Sequence, residues 1–468
     1  MPRLREMLFF WLRTRSGLRG LVRTLWVFGA VAVCAAGAHA QDPAEDSPPV
    51  ESELETDAPA PEIAADQRIV TRFEAEIEMR RLTAEQRYAE AEEIGMQLIP
   101  LTEAEFGPNS LEAARAHMTL AAVQNELEEY PAAEASYLHA LSIYRDAEGS
   151  FARVLIEPLL GLGDNYHDSG QYSNAVSAYN EARTVSRRVE GLLNENQIVM
   201  LDRMTASFER LDQHEEAHER QLEALMLVER NHEPADPEML EAVYKYAAWL
   251  RSVNRYPEER EQYFRAERII REHFGEDNLL LVRPLRERAI SFRVQGNAAP
   301  QGIGGLRDAL ALIEAQPEPD SLMLAEVLRD IGDWDVAFGR VGTDGADYLR
   351  SWRALGDVPN GRELRQVWYE SNVVAFNAPW NRRGLSNDPE APRGHVLVRF
   401  DVDQYGRSHN VAVVSSDPPG LKDDAIARYI RESRFRPRIL DGQVVYTSNK
   451  ALDVIFRYTP DEEEQQQD

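Results

Sequence analysis

The segment His214-Glu215-Glu216-Ala217-His218 is the one place in this 468-residue chain where residue types and spacing suggest catalysis. Two histidines four apart share one face of a helix, so their imidazoles can hold zinc. The glutamate between them can then act as general base on a metal-bound water. Such a site also needs a third protein ligand and an open position. The residues from His218 onward, HERQLEALM, supply neither the glycine nor the third histidine of the extended pattern. The histidines at 117, 139, 167, 232, 273, 395 and 409 show no ligand spacing and read as satisfied surface or groove side chains. No G-x-S-x-G, Walker or dinucleotide-binding glycine pattern occurs. The expectation is a non-enzymatic chain with no catalytic residue, no cofactor and no metal. Zinc-dependent peptide hydrolysis through His214, Glu215 and His218 is the minor alternative.

The element that carries those histidines explains them another way. An aromatic recurs as Tyr88, Tyr130, Tyr172, His214 and Tyr256, each 42 residues apart. A small residue three places on recurs as Ala91, Ala133, Ala175 and Ala217 and drifts to Glu259; a second recurs as Ala140, Ala182, Ala224 and Ala266. His214 and Ala217 therefore hold the turn-aromatic and small-residue positions of a repeat. The clearest copy is LGDNYHDSGQYSNAVSAYNEA, with Leu162, Gly163 and Tyr166 on one helix, Gly170 and Tyr172 at a turn, and Ala175, Tyr179 and Ala182 on the next. Small residues let the paired helices approach, and aromatics fill the space between neighbouring pairs. This pattern is similar to the tetratricopeptide repeat, and the long period resembles the kinesin-light-chain style of it. The copies decay C-terminally; a last degenerate one is read at Gly332, Trp334, Gly339 and Tyr348, giving five good repeats and two poor ones. The solenoid is expected over 67–356. Its binding groove is expected along the first helix of each repeat, near Asn125, His167, Asp168, Glu209 and Arg251, with a mostly acidic character that suits an extended or basic peptide.

Six arginines between Arg3 and Arg23, an apolar run from Thr24 to Gly37, and Ala38-His39-Ala40 read as a cleavable secretory signal over 1–40. The apolar run is shorter than the roughly 20 residues of a membrane-spanning helix. Cleavage would remove Cys34, the only cysteine, so stability must come from packing. Residues 41–66 hold nine acidic residues and no basic one. They are also Pro-rich and read as a disordered linker. An acidic disordered tail is expected over 459–468. The net charge of −28 argues against nucleic acid, and against direct lipid binding once the signal is removed.

The last domain is expected over 362–458. Val396, Val398, Phe400 and Val402 alternate with Leu397, Arg399 and Asp401, the period of a half-buried strand. Asp403-Gln404-Tyr405-Gly406 supplies a turn, and Val411 and Val413 continue on a second strand. Leu421, Ala425, Ile426, Tyr429 and Ile430 share a helical face that would cover the sheet. Asp441-Gly442 turns the chain into a last strand through Leu452, Val454, Phe456 and Tyr458. The fold class is thus mainly α, a helical solenoid, plus a small C-terminal α+β domain with an antiparallel sheet and a covering helix.

Three groups of residues in this domain resemble the C-terminal domain of TonB energy transducers. They are Gly394 through Val402-Asp403 to Gly406, Val413-Val414-Ser415-Ser416, and Arg434-Phe435-Arg436-Pro437 followed by Asp441-Gly442. The resemblance implies that a partner's peptide adds as an extra strand beside the last strand, at Ala451, Asp453, Ile455 and Arg457. It also implies outer-membrane receptors as partners. The chain departs from that family in three ways. A cleavable signal replaces the membrane anchor, and a solenoid replaces the Pro-rich spacer; NAPWNRRGLSNDPEAPRG, with Pro379-Trp380, matches poorly the segment that precedes the first strand. The expectation is a periplasmic scaffold that binds proteins or peptides in a Gram-negative envelope. The alternative is an inner-membrane-anchored energy transducer.

Overall fold

In the computed structural model the described residues are 65–339, 345–371, 375–376, 385–386 and 391–459. The expected signal, most of the acidic linker, the Pro379-Trp380 segment and nearly all of the tail lie outside them. Ile63–Asp468 forms one compact unit.

Helices come in antiparallel pairs because each copy of the repeat buries one apolar stripe against its partner and another against the next copy. The pairs are α1 (Ala65–Ala84) with α2 (Tyr88–Phe106), α3 (Leu111–Glu126) with α4 (Tyr130–Glu148), α5 (Ile156–Asp168) with α6 (Tyr172–Glu190), and α7 (Gln197–Arg210) with α8 (His214–Asn231). They continue as α9 (Leu240–Ser252) with α10 (Tyr256–Phe274), α11 (Val282–Val294) with α12 (Pro300–Glu314), and α13 (Ser321–Ala337) with α14 (Ala346–Ala354). The alanines three places after the turn aromatic, Ala91, Ala133, Ala175 and Ala217, are all fully buried. Where this position drifts to Glu259 the carboxylate is buried too, accepting from Ser291 Oγ at 2.7 Å and paired with Arg251.

The seventh pair repeats the packing of the third. Gly163 lies under the ring of Tyr179, where a Cβ would sit 2.3 Å from the ring, and Gly332 lies likewise under Tyr348, at 2.6 Å. Tyr179 donates to Asp164 at 2.7 Å, and Tyr348 donates to Asp333 at 2.9 Å. The degenerate copy therefore keeps the small-residue contact that defines the repeat.

After a short helix α15 (Gly361–Arg365) the chain enters the last domain. Its strands are β1 (Ala375–Phe376), β2 (Arg393–Val402), β3 (Ser408–Asp417), β4 (Arg434–Phe435), β5 (Arg438–Leu440), β6 (Gln443–Val445) and β7 (Thr447–Arg457), with α16 (Asp423–Glu432) between β3 and β4. The central sheet is antiparallel in the order β3-β2-β7. Val396, Val398, Phe400 and Val402 are buried as the alternation requires, under Ile426 and Ile430 of α16. The covering face differs in detail from the periodic reading: Ala427 is buried, whereas Leu421 precedes the helix and is exposed. The pairs β1–β4 and β5–β6 are additional to the sequence reading; the second is a tight hairpin whose Asp441 and Gly442 both adopt positive φ.

The last repeat and the C-terminal domain share a core. Tyr348, Leu355, Tyr369 and Ile439 are buried together. Arg436 reaches from the domain into the solenoid, donating from Nε to Asp333 Oδ1 at 2.8 Å and from Nη2 to Oδ2 at 2.7 Å.

Candidate binding surfaces

The five groove residues lie along the C-terminal ends of the first helices, which the 42-residue repeat stacks in register. Of the five, Asn125 and Asp168 meet directly, and His167, Glu209 and Arg251 pair with residues of the neighbouring repeat. Asn125 donates to Asp168 at 3.1 Å and accepts from Asn165 at 3.1 Å. His167 Nδ1 lies 2.9 Å from Ser207 Oγ. Trp249 Nε1 donates to Glu209 at 2.7 Å. Arg251 pairs with Glu259 and Glu287 and donates to the Glu287 carbonyl at 3.0 Å. Each side chain thus spans a repeat junction, and Asp168 and Glu209 stay exposed along it. Burial lowers the affinity of His167 for a proton, against the pull of Asp168. Burial also opposes the charge of Arg251, but Glu287, Tyr263 and Glu259 outweigh it and hold the guanidinium above its ordinary range.

The histidines of the H-E-x-x-H segment are engaged separately. His218 Nε2 lies 2.8 Å from the Tyr246 hydroxyl, and its ring stacks on Trp249 at 5.6 Å between centroids. Burial and Arg255 hold His218 below its usual range. His214 is exposed, with Nε2 2.9 Å from Asp212. Among the described residues, the metal-capable clusters are Glu103–His117–His139 and His232–Asp236–Glu238. Neither includes His214 or His218; the second histidine of that segment carries an aromatic stack instead. Sequence spacing missed both clusters, because their members come from separate helices or from a loop.

A cleft of about 340 Å³ opens between α7, α8 and α9. Its lining is apolar at Ile198, Leu225 and Val228 and also carries Glu195, Glu238 and Glu241 together with His232 and Lys245. Sequence reading did not find it, because the apolar lining residues are ordinary repeat positions.

β7 is an edge strand. Tyr458 N–H donates to Pro392 O at 3.2 Å on the β2 side, so alternation turns the N–H and C=O groups of Ala451, Asp453, Ile455 and Arg457 outward. At Arg457 the chain closes its own edge: Ser386 N–H donates to the Arg457 carbonyl at 3.0 Å. Among the described residues no strand pairs with Ala451, Asp453 or Ile455 on the outer side. Ile455 is 68% exposed.

Comparison with known proteins agrees with this architecture. The tetratricopeptide repeat family matches residues 82–146, and the family described as Gram-negative bacterial TonB protein C-terminal matches residues 390–458. Among solved structures, a Podospora anserina protein described as a kinesin light chain with nearly identical tetratricopeptide-like repeats is 13% identical, with 45% of this chain and 98% of that chain covered and a TM-score of 0.38. The C-terminal part of a tetratricopeptide repeat-containing protein from Cytophaga hutchinsonii is 14% identical, with 61% and 97% covered and a TM-score of 0.39. No curated protein matches. The chain is a tetratricopeptide-type solenoid carrying a TonB-type C-terminal domain.

Proposed function

We propose that this protein is a non-enzymatic scaffold of the Gram-negative periplasm that holds protein or peptide partners on its solenoid and docks a peptide strand on its C-terminal domain. The observation that carries the reading is the open edge of β7, with outward backbone groups at Ala451, Asp453 and Ile455. An extended peptide placed there gains backbone hydrogen bonds from the edge and side-chain contacts from the exposed Ile455. The match to the TonB C-terminal family supports an envelope setting and outer-membrane receptors as docking partners. The cleft between α7, α8 and α9, with three glutamates beside Lys245 and His232, suits a segment that pairs an apolar anchor with a basic residue. No described helix is long and apolar enough to cross a membrane.

The test is crosslinking and recovery from the cell envelope, comparing the native chain with Ile455→Pro. Proline at an exposed edge position removes one outward N–H without breaking the β2 ladder. The variant is expected to lose the strand-bound partner while solenoid-bound partners persist. An unchanged set of partners would overturn the docking role of β7. Sequencing of the purified protein's N-terminus is expected to begin at Gln41.

A further inference from the structure

At the junction between the first two repeats, three side chains break the pattern of the rest of the solenoid. His117 occupies the position held 42 residues on, and at each further copy, by Leu159, Leu201, Val243 and Leu285, all essentially fully buried. The fold therefore asks for an aliphatic residue there and receives an imidazole. Glu103 and His139 occupy positions on successive second helices that elsewhere form ion pairs across the junction: Arg145 with Glu181 at 2.8 Å, and Glu229 with Arg265.

The three substitutions meet. The donor atoms of Glu103, His117 and His139 all lie within 4.8 Å of one another. His117 Nε2 is 3.5 Å from Glu103 Oε1, and the two imidazole rings meet edge-on at 4.4 Å between centroids. The His117 side chain is only 15% exposed, and its Nε2 is buried with no hydrogen-bond partner. An unsatisfied buried ring nitrogen in a leucine position is costly, and a ligand that takes its lone pair relieves the cost. Burial, and then the proximity of His139, hold His117 below its usual range against the opposing pull of Glu103.

We propose that Glu103, His117 and His139 bind a divalent transition-metal ion of the Zn²⁺ class, clamping α2, α3 and α4 together across the first repeat junction. Two imidazoles and one carboxylate form a ligand set suited to tetrahedral zinc, with water in the fourth place. Ligand atoms about 2.0–2.1 Å from a tetrahedral ion lie about 3.4 Å apart, close to the His117–Glu103 separation. His139, the exposed member, closes the remaining distance by side-chain rotation. The second cluster lacks the same signature. His232 Nδ1 already has a hydrogen-bond partner in Asp236 Oδ2 at 3.3 Å, and Asp236 also accepts from the Glu238 amide.

The experiment is calorimetric titration of the metal-free native chain with Zn²⁺, alongside thermal unfolding with and without the ion. Variants are His117→Leu, which restores the residue of the later repeats, His139→Gln, and His232→Ala as a control. The native chain is expected to bind one tight Zn²⁺ and to unfold at higher temperature with it. His117→Leu and His139→Gln are expected to weaken that binding at least about 100-fold, beyond the usual cost of losing a supporting partner alone. His117→Leu should also unfold at a higher temperature than the native chain when both are metal-free. The proposal is overturned if the native chain binds no zinc, if His117→Leu keeps the tight site, or if His232→Ala is the variant that removes it.

Discussion

Arg436 ties the solenoid to the C-terminal domain beside their shared core, and replacing it with methionine measures how much that tie contributes. Asp333 is 3% exposed and Arg436 10% exposed, and the two hydrogen bonds between them are short and parallel. Burial opposes the guanidinium's charge, but the Asp333 carboxylate outweighs it and holds Arg436 above the ordinary range. Arg436→Met preserves the aliphatic stem and leaves Asp333 with the Tyr348 hydroxyl at 2.9 Å and Arg293 at 3.9 Å. Removing one partner of a buried pair costs about 3–5 kcal/mol. Because Tyr348 and Arg293 still face the carboxylate, the low end, about 3 kcal/mol, is expected. The solenoid offers an internal control in Asp164 with Arg203, a 2.7 Å pair whose side chains are 38% and 35% exposed. Arg203→Met should cost at most about 1 kcal/mol. Urea unfolding followed by tryptophan fluorescence tests both, since Trp352 and Trp368 pack beside the shared core. An Arg436→Met cost no larger than that of Arg203→Met would refute the claim that burial makes the cross-domain pair strong.

Two further perturbations test the packing and the turn chemistry. Gly163→Ala places a Cβ 2.3 Å from Tyr179 and is expected to destabilise by about 1–3 kcal/mol, whereas Gly304→Ala, with nothing within 4 Å, should stabilise α12 by about 0.5–1 kcal/mol in the same unfolding assay. Asp403 accepts from the amides of Tyr405 and Arg407, each at 2.9 Å, and pairs with His409. Burial pushes its carboxyl up, but His409 and the amides outweigh that and hold it below the usual range. With the folded value below an unfolded value of about 3.9, its contribution is complete above that pH and is lost as pH falls through the folded value. The stability difference between the native chain and Asp403→Ala should therefore shrink as the urea titration is repeated from pH 6 toward pH 2, and a constant difference would remove Asp403 from the turn.

The repeat was legible because its constraints are steric and periodic. A turn that must bring two helices together selects an aromatic at Tyr88, Tyr130, Tyr172 and Tyr256 and an alanine three places on, and those choices survive in sequence. The turn's own backbone is less legible. Gln86, Glu128, Gly170, Asp212, Asn254 and Gly296, also spaced by 42 residues, all take positive φ, but only the glycines announce it. The H-E-x-x-H spacing is ambiguous by itself, since a helical period of four also serves the stack of His218 on Trp249. His117 and His139 could not be found by spacing, because they stand on different helices. The legible signal was histidine in the column of Leu159, Leu201 and Val243, which appears only when copies are aligned against one another. Strands of two or three residues, such as β4 and β6, are too short to show alternation. The apolar alternation of Leu452, Val454 and Phe456 was readable as the covered face of β7, while the closure at Arg457 by Ser386 depends on a distant loop.

The position of Arg436 bears on how the two proposed binding surfaces would work together. In the third repeat, the aspartate that follows the glycine under tyrosine is Asp164, and its ion-pair partner is Arg203 from the next repeat. In the seventh repeat the equivalent aspartate is Asp333, and its partner is Arg436 from the C-terminal domain. The domain thus uses on the last repeat a contact that a following repeat would use, and it deepens that contact with Ile439 against Tyr348 and Val444 beside Gly345. A solenoid needs a cap on its terminal apolar face, and here the cap carries the strand edge. A partner held by the solenoid is consequently held at a set distance from β7. Where one partner offers both a groove segment and a strand, the second contact forms at the effective concentration set by the first, and its affinity is raised without new contacts. Arg436→Met should then weaken such a two-point partner far more than a peptide that binds β7 alone. Equal losses for both would mean that the junction supports folding and not the joint hold.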